Sequence, residues 1–199
     1  FGPQDTYAFK IIVPLWKKFT KSNALAQIQK SLVRCVSTQK NEPRMKLLAL
    51  GFRPARGPHK RVPLSLYMSS PELRAAYLGG LFSADGSVHH KKPQLSLSSA
   101  SLDLLRDVQL FLLGMGIFSR IHFYPVRPRG RSQGYLRVFG RSMERFMDLI
   151  GFPLSPQKEE RAKTRLACAR QLHHPSENEL VTSIVPDGEE DVYDIYEPV

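Results

Sequence analysis

The hydrophobic residues from position 71 onward recur with two different periods. In some stretches they return every third or fourth residue, which is typical of a helix with one buried face, and in others every second residue, which is typical of a half-buried strand. The predicted helices are 71–85, 102–115, 142–150 and 157–172, and the predicted strands are 87–90, 94–98, 118–126 and 135–139. The order of helix, hairpin, helix, hairpin, helix, followed by a last helix, predicts an α+β fold.

The first 51 residues have a less regular pattern. Residues 6–13 are rich in aromatic and β-branched side chains and end at Pro14, which predicts a strand, and residues 15–21 fit a short helix. Apolar residues spaced by threes and fours predict a helix over 23–37 and another over 41–50. This part is therefore expected to be a strand followed by helices.

Helix 71–85 contains residues that are unusual inside a helix. Ser69 and Glu72 stand at the spacing of a capping box at its start. Gly79 and Gly80 are adjacent, although each glycine costs about 1 kcal/mol relative to alanine in a helix interior. The helix carries a stripe of small residues, Ala76, Gly79, Gly80, Ser83 and Ala84. Such a stripe allows the backbone of a second helix to approach closely.

The end of this helix predicts a candidate site. Gly86 suits the left-handed residue that commonly follows a helix. Asp85 is unfavourable there, because a carboxylate at a helix C-terminus faces the negative end of the helix dipole. A bound cation would reverse that penalty. From the residues alone, two interpretations stay open: a metal-binding carboxylate, or a solvated Asp at the end of a tightly packed core helix.

Charge narrows the class of function. The chain has 29 Lys and Arg against 18 Asp and Glu, and residues 176–199 contain eight acids and no Lys or Arg, so residues 1–175 carry a net charge of +19. A domain this basic is typical of nucleic-acid binding. No apolar run approaches membrane-spanning length and the N-terminus does not resemble a signal peptide, so we expect a soluble, cytoplasmic protein with no membrane partner. Cys35 and Cys168 are isolated, and both are expected to be reduced.

Residues 78–86, with the sequence LGGLFSADG, resemble the nine-residue LAGLIDADG signature of homing endonucleases. In that family two such helices pack across a two-fold or pseudo-two-fold axis, and each delivers its late Asp to metal ions at the scissile phosphates. The resemblance implies that Asp85 is catalytic and binds Mg²⁺ or another divalent ion, with the carbonyl of Gly86 as a further candidate ligand. Ser83 stands where the signature has an earlier Asp, at a position that varies within the family.

Three further stretches resemble inteins. Residues 60–63, KRVP, are similar to the Lys-x-Ile-Pro block of intein endonucleases, which implies that Lys60 lies near the catalytic centre. Lys158 follows a Gly-Phe pair at a spacing similar to the family's, and is a second candidate catalytic lysine; a DNA contact or a solvated charge is the alternative. Residues 191–199 resemble the Val-Tyr-Asp-Leu block near the C-terminal end of inteins.

These resemblances imply an intein endonuclease truncated at both ends. Residues 1–63 would be part of a first endonuclease half with a basic linker, and residues 64–175 would be the second LAGLIDADG half. Residues 176–199 would be a C-terminal strand segment of a Hint-like splicing domain. The helix with the first LAGLIDADG signature is expected upstream of Phe1.

The hairpins predict a DNA-binding surface, because a two-stranded ribbon fits the major groove. Basic residues in the turns are expected to contact phosphates, and Arg or Gln on the strands are candidates for reading base edges, with a solvated charge as the alternative for each. The adjacent His89 and His90 are predicted to be solvated, on opposite faces of a strand. The candidate DNA-binding residues are Lys91, Lys92, Gln94, Ser96, Ser98, Arg120, His122, Arg127, Arg129, Arg131, Arg137 and Arg141.

Three functions follow from the resemblance. The first is site-specific cleavage of double-stranded DNA by an intein endonuclease, and the second is nucleic-acid binding without cleavage, as in a regulator or maturase of the same fold. The third is protein splicing by the full-length intein. Because one Asp cannot complete a two-carboxylate site, this chain is expected to be inactive as a nuclease unless the upstream intein half or a second copy supplies the other.

Overall fold

A computed structural model describes residues 5–21, 25–28, 34–37, 40–124 and 133–169, together with positions 183, 185 and 188. The helices are α1 Thr6–Thr20, α2 Asn41–Ala49, α3 Pro71–Asp85, α4 Leu102–Gly114, α5 Arg141–Leu149 and α6 Pro156–Ala167. The strands are β1 Leu25–Ile28, β2 Arg34–Ser37, β3 Gly86–Val88, β4 Gln94–Ser99, β5 Arg120–Tyr124 and β6 Gln133–Phe139. Single 3₁₀ turns lie at Gly57–His59 and Leu64–Leu66.

The main sheet has four antiparallel strands in the order β3-β4-β6-β5. The hairpins β3-β4 and β5-β6 are joined by the pairing of β4 with β6, in which Ser96 lies opposite Arg137. β1 and β2 form a separate two-stranded pair. The predicted α+β fold, with two hairpins separated by a helix, is therefore confirmed.

One face of the sheet builds the core. Leu95 and Leu97 of β4 and Leu136 and Val138 of β6 are buried, as the period-two pattern predicts. The helices cover this face with apolar side chains that are also buried, namely Leu78, Phe82, Leu105, Val108, Leu112, Met143 and Phe146. The opposite face of the sheet is left to solvent.

The N-terminal predictions were wrong in two places. Residues 6–13 are not a strand but the first half of α1, which continues through Pro14 to Thr20. Pro14 removes only one backbone hydrogen bond, and the apolar residues on both sides of it also fit helical spacing. The predicted helix at 23–37 is instead the β1-β2 pair, because spacings of three and four over so short a stretch fit a hairpin equally well. The predicted helix at 41–50 is confirmed as α2.

Smaller corrections concern element ends. Ser70 caps α3, and its hydroxyl accepts a hydrogen bond from Leu73 N–H at 3.4 Å, so Ser69 and Glu72 do not form the capping box. Ser101 caps α4, with its hydroxyl 3.1 Å from Leu104 N. Strand β3 ends at Val88 rather than at residue 90. The predicted C-terminal strands at 180–185 and 191–197 and the end of the last predicted helix lie outside the described residues, apart from positions 183 and 185.

Candidate active site and nucleic-acid interface

Asp85 is the last residue of α3, and its side chain is exposed. Since Gly86 lies opposite Leu97, Asp85 stands at the end of the sheet where β4 leads into α4. Lys60 lies at the same end, because its carbonyl accepts a hydrogen bond at 2.6 Å from the hydroxyl of Ser101, the residue that caps α4. The structure thus places the first two sequence-predicted catalytic residues at one end of the sheet.

Gly86 needs to be glycine for a reason that the sequence did not indicate. Its backbone is extended, with φ −76° and ψ 158°, so the predicted left-handed conformation is wrong. A Cβ at this position would lie only 2.4 Å from the carbonyl oxygen of Phe82. The absence of a side chain lets the chain leave α3 and enter β3 at once, which fixes Asp85 at the junction.

Lys158 is bound to the end of the helix that carries Asp85. Its ammonium group lies 2.6 Å from the carbonyl oxygen of Ser83, 3.2 Å from that of Ala84 and 3.4 Å from that of Phe82. Burial lowers the pKa of Lys158 below its ordinary value, although Asp5 and Asp85 favour its charged form. Lys158 thus places a positive charge at the negative end of the α3 dipole.

The stripe of small residues on α3 is divided between two faces. Gly79 and Ser83 face inward: a Cβ at Gly79 would lie 3.0 Å from the ring of Pro153, and the Ser83 hydroxyl accepts a hydrogen bond from Leu154 N–H at 3.1 Å. Ala76 is exposed, and a Cβ at Gly80 would meet nothing within 4 Å among the described residues. The open face therefore comprises Ala76, Gly80 and Ala84, and it leads to Asp85.

Asp107 was missed by the sequence reasoning, although its place on the buried face of α4 was a usable signal. Its carboxylate accepts hydrogen bonds from Arg61 Nε at 2.7 Å, from the second Arg61 nitrogen at 2.8 Å and from Val62 N–H at 3.0 Å. Burial alone raises the pKa of Asp107, but the hydrogen bonds from Arg61, Tyr67 and Val62 outweigh it and hold the pKa below its ordinary value. This clamp fixes the linker segment that contains Lys60.

The solvent-facing side of the sheet carries polar and aromatic residues. In register, Ser87, Ser96, Arg137 and Arg120 form one row across all four strands, and Ser98, Tyr135 and His122 form the next. Gln94 lies opposite Phe139 on this face. No acidic residue occurs in any of the described strands. The face is therefore positively charged, as nucleic-acid binding requires.

The remaining candidate residues lie around this face or outside the described part of the chain. Lys91 and Lys92 are exposed in the β3-β4 turn, where their backbone N–H groups donate to Nδ1 of His89 at 3.0 and 3.1 Å. The rings of His89 and His90 stack at 4.7 Å, so the prediction of opposite faces was wrong; both follow the end of β3. Arg141 is exposed at the start of α5. Arg127, Arg129 and Arg131 lie outside the described residues.

Within the described ranges, no helix is long and apolar enough to cross a membrane.

A family model described as a LAGLIDADG-like domain matches residues 72–151. The match begins near the start of α3 and ends just after α5, so it contains Asp85, the four-stranded sheet and the helices that cover it. It does not include Lys60 or Lys158.

Similar segments occur in proteins with different names. The chain is 32% identical over 108 residues to a replicative DNA helicase DnaB of Rhodothermus marinus, which covers 51% of this chain and 12% of that protein. It is 32% identical over 155 residues to the ribonucleoside-diphosphate reductase NrdEB subunit alpha of Bacillus subtilis, and this segment covers 67% of this chain and 14% of that protein. It is 29% identical over 189 residues to a probable translation initiation factor IF-2 of Thermococcus kodakarensis, and this segment covers 90% of this chain and 16% of that protein. The chain thus spans a small part of each of these relatives, and the family match over residues 72–151 supports the LAGLIDADG family for this part of the chain.

Proposed function

We propose that this chain is part of the endonuclease region of an intein, and that it takes part in hydrolysing duplex DNA with a divalent metal ion, Mg²⁺. One observation carries the proposal. Asp85 is an exposed carboxylate at the end of α3, where the open face of small residues meets the sheet with the basic surface. This arrangement suits an acid that is presented to a phosphate from between two paired helices.

Asp85 fits a metal site as one ligand, not as a complete one. Among the described residues, no three His, Cys, Asp or Glu side chains come together in a way that would hold a metal ion. Mg²⁺ is commonly held by one or two carboxylates together with waters and phosphate oxygens. A second carboxylate would come from a helix paired with α3, in the upstream intein half or in a second copy. When bound, the ion would stabilise charge on the phosphate and activate a water molecule.

The residues of this chain would support that chemistry in three ways. The open face of Ala76, Gly80 and Ala84 would allow the second helix to approach and bring its carboxylate close to Asp85. Lys158 would hold the end of α3 in place and offset the negative helix end beside Asp85. Lys60, fixed by the Asp107 clamp, would contribute positive charge at the same end of the sheet.

The relatives support the intein part of the proposal. By their names, a helicase, a reductase subunit and an initiation factor share no activity, yet each contains a segment similar to this chain that covers only 12–16% of its length. A segment that recurs independently of the host's activity is expected of an inserted element. The strand segment proposed for residues 176–199, and protein splicing by a full-length intein, stay predictions. A cytoplasmic location is likewise part of the proposal.

The test is cleavage by the full chain alone and by two copies joined in tandem, with Mg²⁺, on duplexes selected for binding. We expect the tandem protein to cut and the single chain not to cut while it is monomeric. Asp85→Asn in both copies should abolish cutting, and Asp103→Asn, which changes an exposed acid on α4, should leave it intact. Cutting by the monomeric single chain would contradict the need for a second helix, and cutting by the Asp85→Asn tandem would contradict the role of Asp85.

A second function, nucleic-acid binding without cleavage, is favoured by one observation: among the described residues, no three His, Cys, Asp or Glu side chains come together in a way that would hold a metal ion. Under this alternative the tandem protein would bind selected duplexes but leave them intact at every metal concentration. The same cleavage experiment therefore distinguishes the two functions.

A further inference from the structure

A cavity of about 510 Å³ is lined by residues of α1, of α2 and of the connection that leads from α2 to α3. Its volume is typical of ligand-binding cavities, which measure about 300–1,000 Å³. Neither the four-stranded sheet nor Asp85 contributes to the lining that the structure describes. Most of the apolar lining residues carry a ring, and flat ring faces suit a planar aromatic molecule. The apolar lining residues are Trp16, Pro43, Leu47, Leu48, Phe52 and Pro54.

Two arginines give this cavity a positive charge. Arg44 of α2 and Arg53 of the connection belong to the lining, and both are exposed. Within the described part of the chain, neither guanidinium group makes a hydrogen bond or an ion pair. Glu42, the acidic residue of α2, is paired with a lysine one turn further along the helix, at 2.6 Å. The described lining contains no acidic residue, so an anionic group in the cavity would meet two cations without a partner.

The indole N–H of Trp16 adds a donor to the same lining. Its nitrogen Nε1 is buried, and no acceptor among the described residues bonds to it. A buried donor without a partner is destabilising, so this position favours a ligand that brings an acceptor. The ring of Trp16 packs against that of Phe19, with the ring centres 5.9 Å apart. Trp16 therefore contributes both an aromatic surface and a hydrogen-bond donor to the cavity.

We propose that this cavity binds an aromatic carboxylate. The planar body of the ligand would lie among the rings and leucines, and its carboxylate would be bound by Arg44 and Arg53, with the N–H of Trp16 as a third donor. Arginine suits this role because its planar fork matches the two oxygens of a carboxylate. The proposal is independent of the proposed function, since it uses none of the residues assigned to DNA cleavage.

The test uses the fluorescence of Trp16, which is the single tryptophan of the chain and therefore reports from the cavity. The full chain is titrated with phenylpropionate, with its uncharged amide phenylpropionamide, and with acetate, which has the charge without the ring. Phenylpropionate should give a saturable change with a Kd of about 0.1–1 mM, a range that a ligand of this size can reach. The amide should bind at least about 10-fold more weakly, because it lacks the charge that arginine binds. Acetate should give no saturable change.

Three variants test the role of the arginines. Arg44→Met and Arg53→Met should each raise the Kd for phenylpropionate by about 3- to 10-fold, a moderate effect because both side chains are exposed to solvent. Binding of the amide should be unchanged in both variants. Arg56→Met is the matched control, because Arg56 is an exposed arginine of the same connection that does not belong to the described lining. Circular dichroism of each variant measures whether the fold is retained.

Each outcome supports or overturns the proposal. Equal binding of phenylpropionate and its amide would overturn it, because the arginines would then have no part in binding. A Kd that rises in Arg56→Met as much as in the two cavity variants would also overturn it, since it would show a general effect of charge. If the folded wild type gives no saturable change with phenylpropionate, the cavity is not a site for this class of ligand. The comparison of acid and amide needs no variant, so a variant that fails to fold leaves the test decisive.

Discussion

The two sides of α3 are built from the same kind of small residue and have opposite surroundings. On the inner side, Gly79 touches the ring of Pro153 and Ser83 bonds to the backbone of Leu154. On the outer side, Ala76 is exposed, and none of the described residues lies within 4 Å of a Cβ placed on Gly80. Small residues on the inner side therefore serve the fold of this chain. Those on the outer side are left uncovered by the described residues, which suits the close approach of another helix.

The largest expected effect is a loss of cleavage when a bulky side chain fills the outer side of α3. Gly80→Leu adds a side chain where the chain itself has room, so the urea midpoint of the single chain should be unchanged or higher. In the tandem protein the same change would hold the two helices apart, and displacement of a catalytic group by about 1 Å can reduce a rate by about 100-fold. Cleavage rate and urea midpoint, measured together, test this prediction. Unchanged cleavage would mean that no helix packs against this side.

The next largest effect is a loss of stability when a side chain is added at the C-terminal end of α3. Gly86→Ala places a Cβ 2.4 Å from the carbonyl oxygen of Phe82, which is backbone and cannot swing away. We expect a loss of about 3 kcal/mol in the free energy of unfolding, at the upper end of what overpacking costs. Urea denaturation measures the loss, and Gly114→Ala is the matched control, because a Cβ at that helical position would have no neighbour within 4 Å in the part of the chain that the structure describes. A difference below about 1 kcal/mol would show that the junction can relax.

Removing the charge at the same helix end should have a smaller effect. Lys158→Met loses the ammonium group that binds three carbonyls, and we expect the free energy of unfolding to fall by about 1–2 kcal/mol. Lys163→Met, on the exposed side of α6, is the control and should change it little. Equal effects of the two substitutions would contradict the stabilising contact of Lys158 with the carbonyl groups at the end of α3.

The lowered pKa of Lys158 predicts that the stability of the protein depends on pH. Because burial holds its pKa below the ordinary value in the folded protein, the unfolded chain binds this proton more tightly in the interval between the lowered pKa and 10.5. The contribution of Lys158 to stability should therefore increase as the pH rises through that interval. The difference in stability between the wild type and Lys158→Met, followed against pH, isolates this contribution from other titrating groups. A difference that shrinks with rising pH would contradict the predicted sign.

The smallest expected effect is the difference in stability between alanine substitutions at the neighbouring residues Gly79 and Gly80. Gly80→Ala should stabilise the single chain by about 0.5–1 kcal/mol, because alanine favours a helix and the position is open. Gly79→Ala has the same intrinsic gain, but its Cβ would press on Pro153 at 3.0 Å, so the gain should be cancelled or reversed. Urea midpoints of the two variants measure the difference. Equal stabilisation by both would show that Pro153 moves aside freely.

Local patterns predicted the part of the fold in which each element has a single consistent signal. The alternation of Leu95 and Leu97 with polar neighbours correctly predicted the buried face of β4. Residues 6–13 failed because aromatic and β-branched side chains also fit a helix once Pro14 is tolerated.

In the candidate site, too, the sequence predicted local features but not contacts between residues that are far apart along the chain. Asp85 could be proposed from a local signature, because the residues of helix α3 and of the signature are continuous in sequence. The contact of Lys158 with the end of α3 joins residues 75 positions apart, and only the folded chain reveals it. The sequence did place an acid, Asp107, among the buried positions of α4, a signal that points to a paired partner. It gave no means of choosing Arg61 as that partner.

The clamp at Asp107 has a mechanical consequence. It grips the connection between α2 and α3 by a charged side chain and by a backbone N–H at successive residues, Arg61 and Val62. Residues 61 and 62 are therefore anchored to α4, so this part of the connection cannot slide along the helix. Lys60, the preceding residue, is anchored through its carbonyl to Ser101 at the start of the same helix. Three successive residues thus form a fixed strap across the N-terminal half of α4.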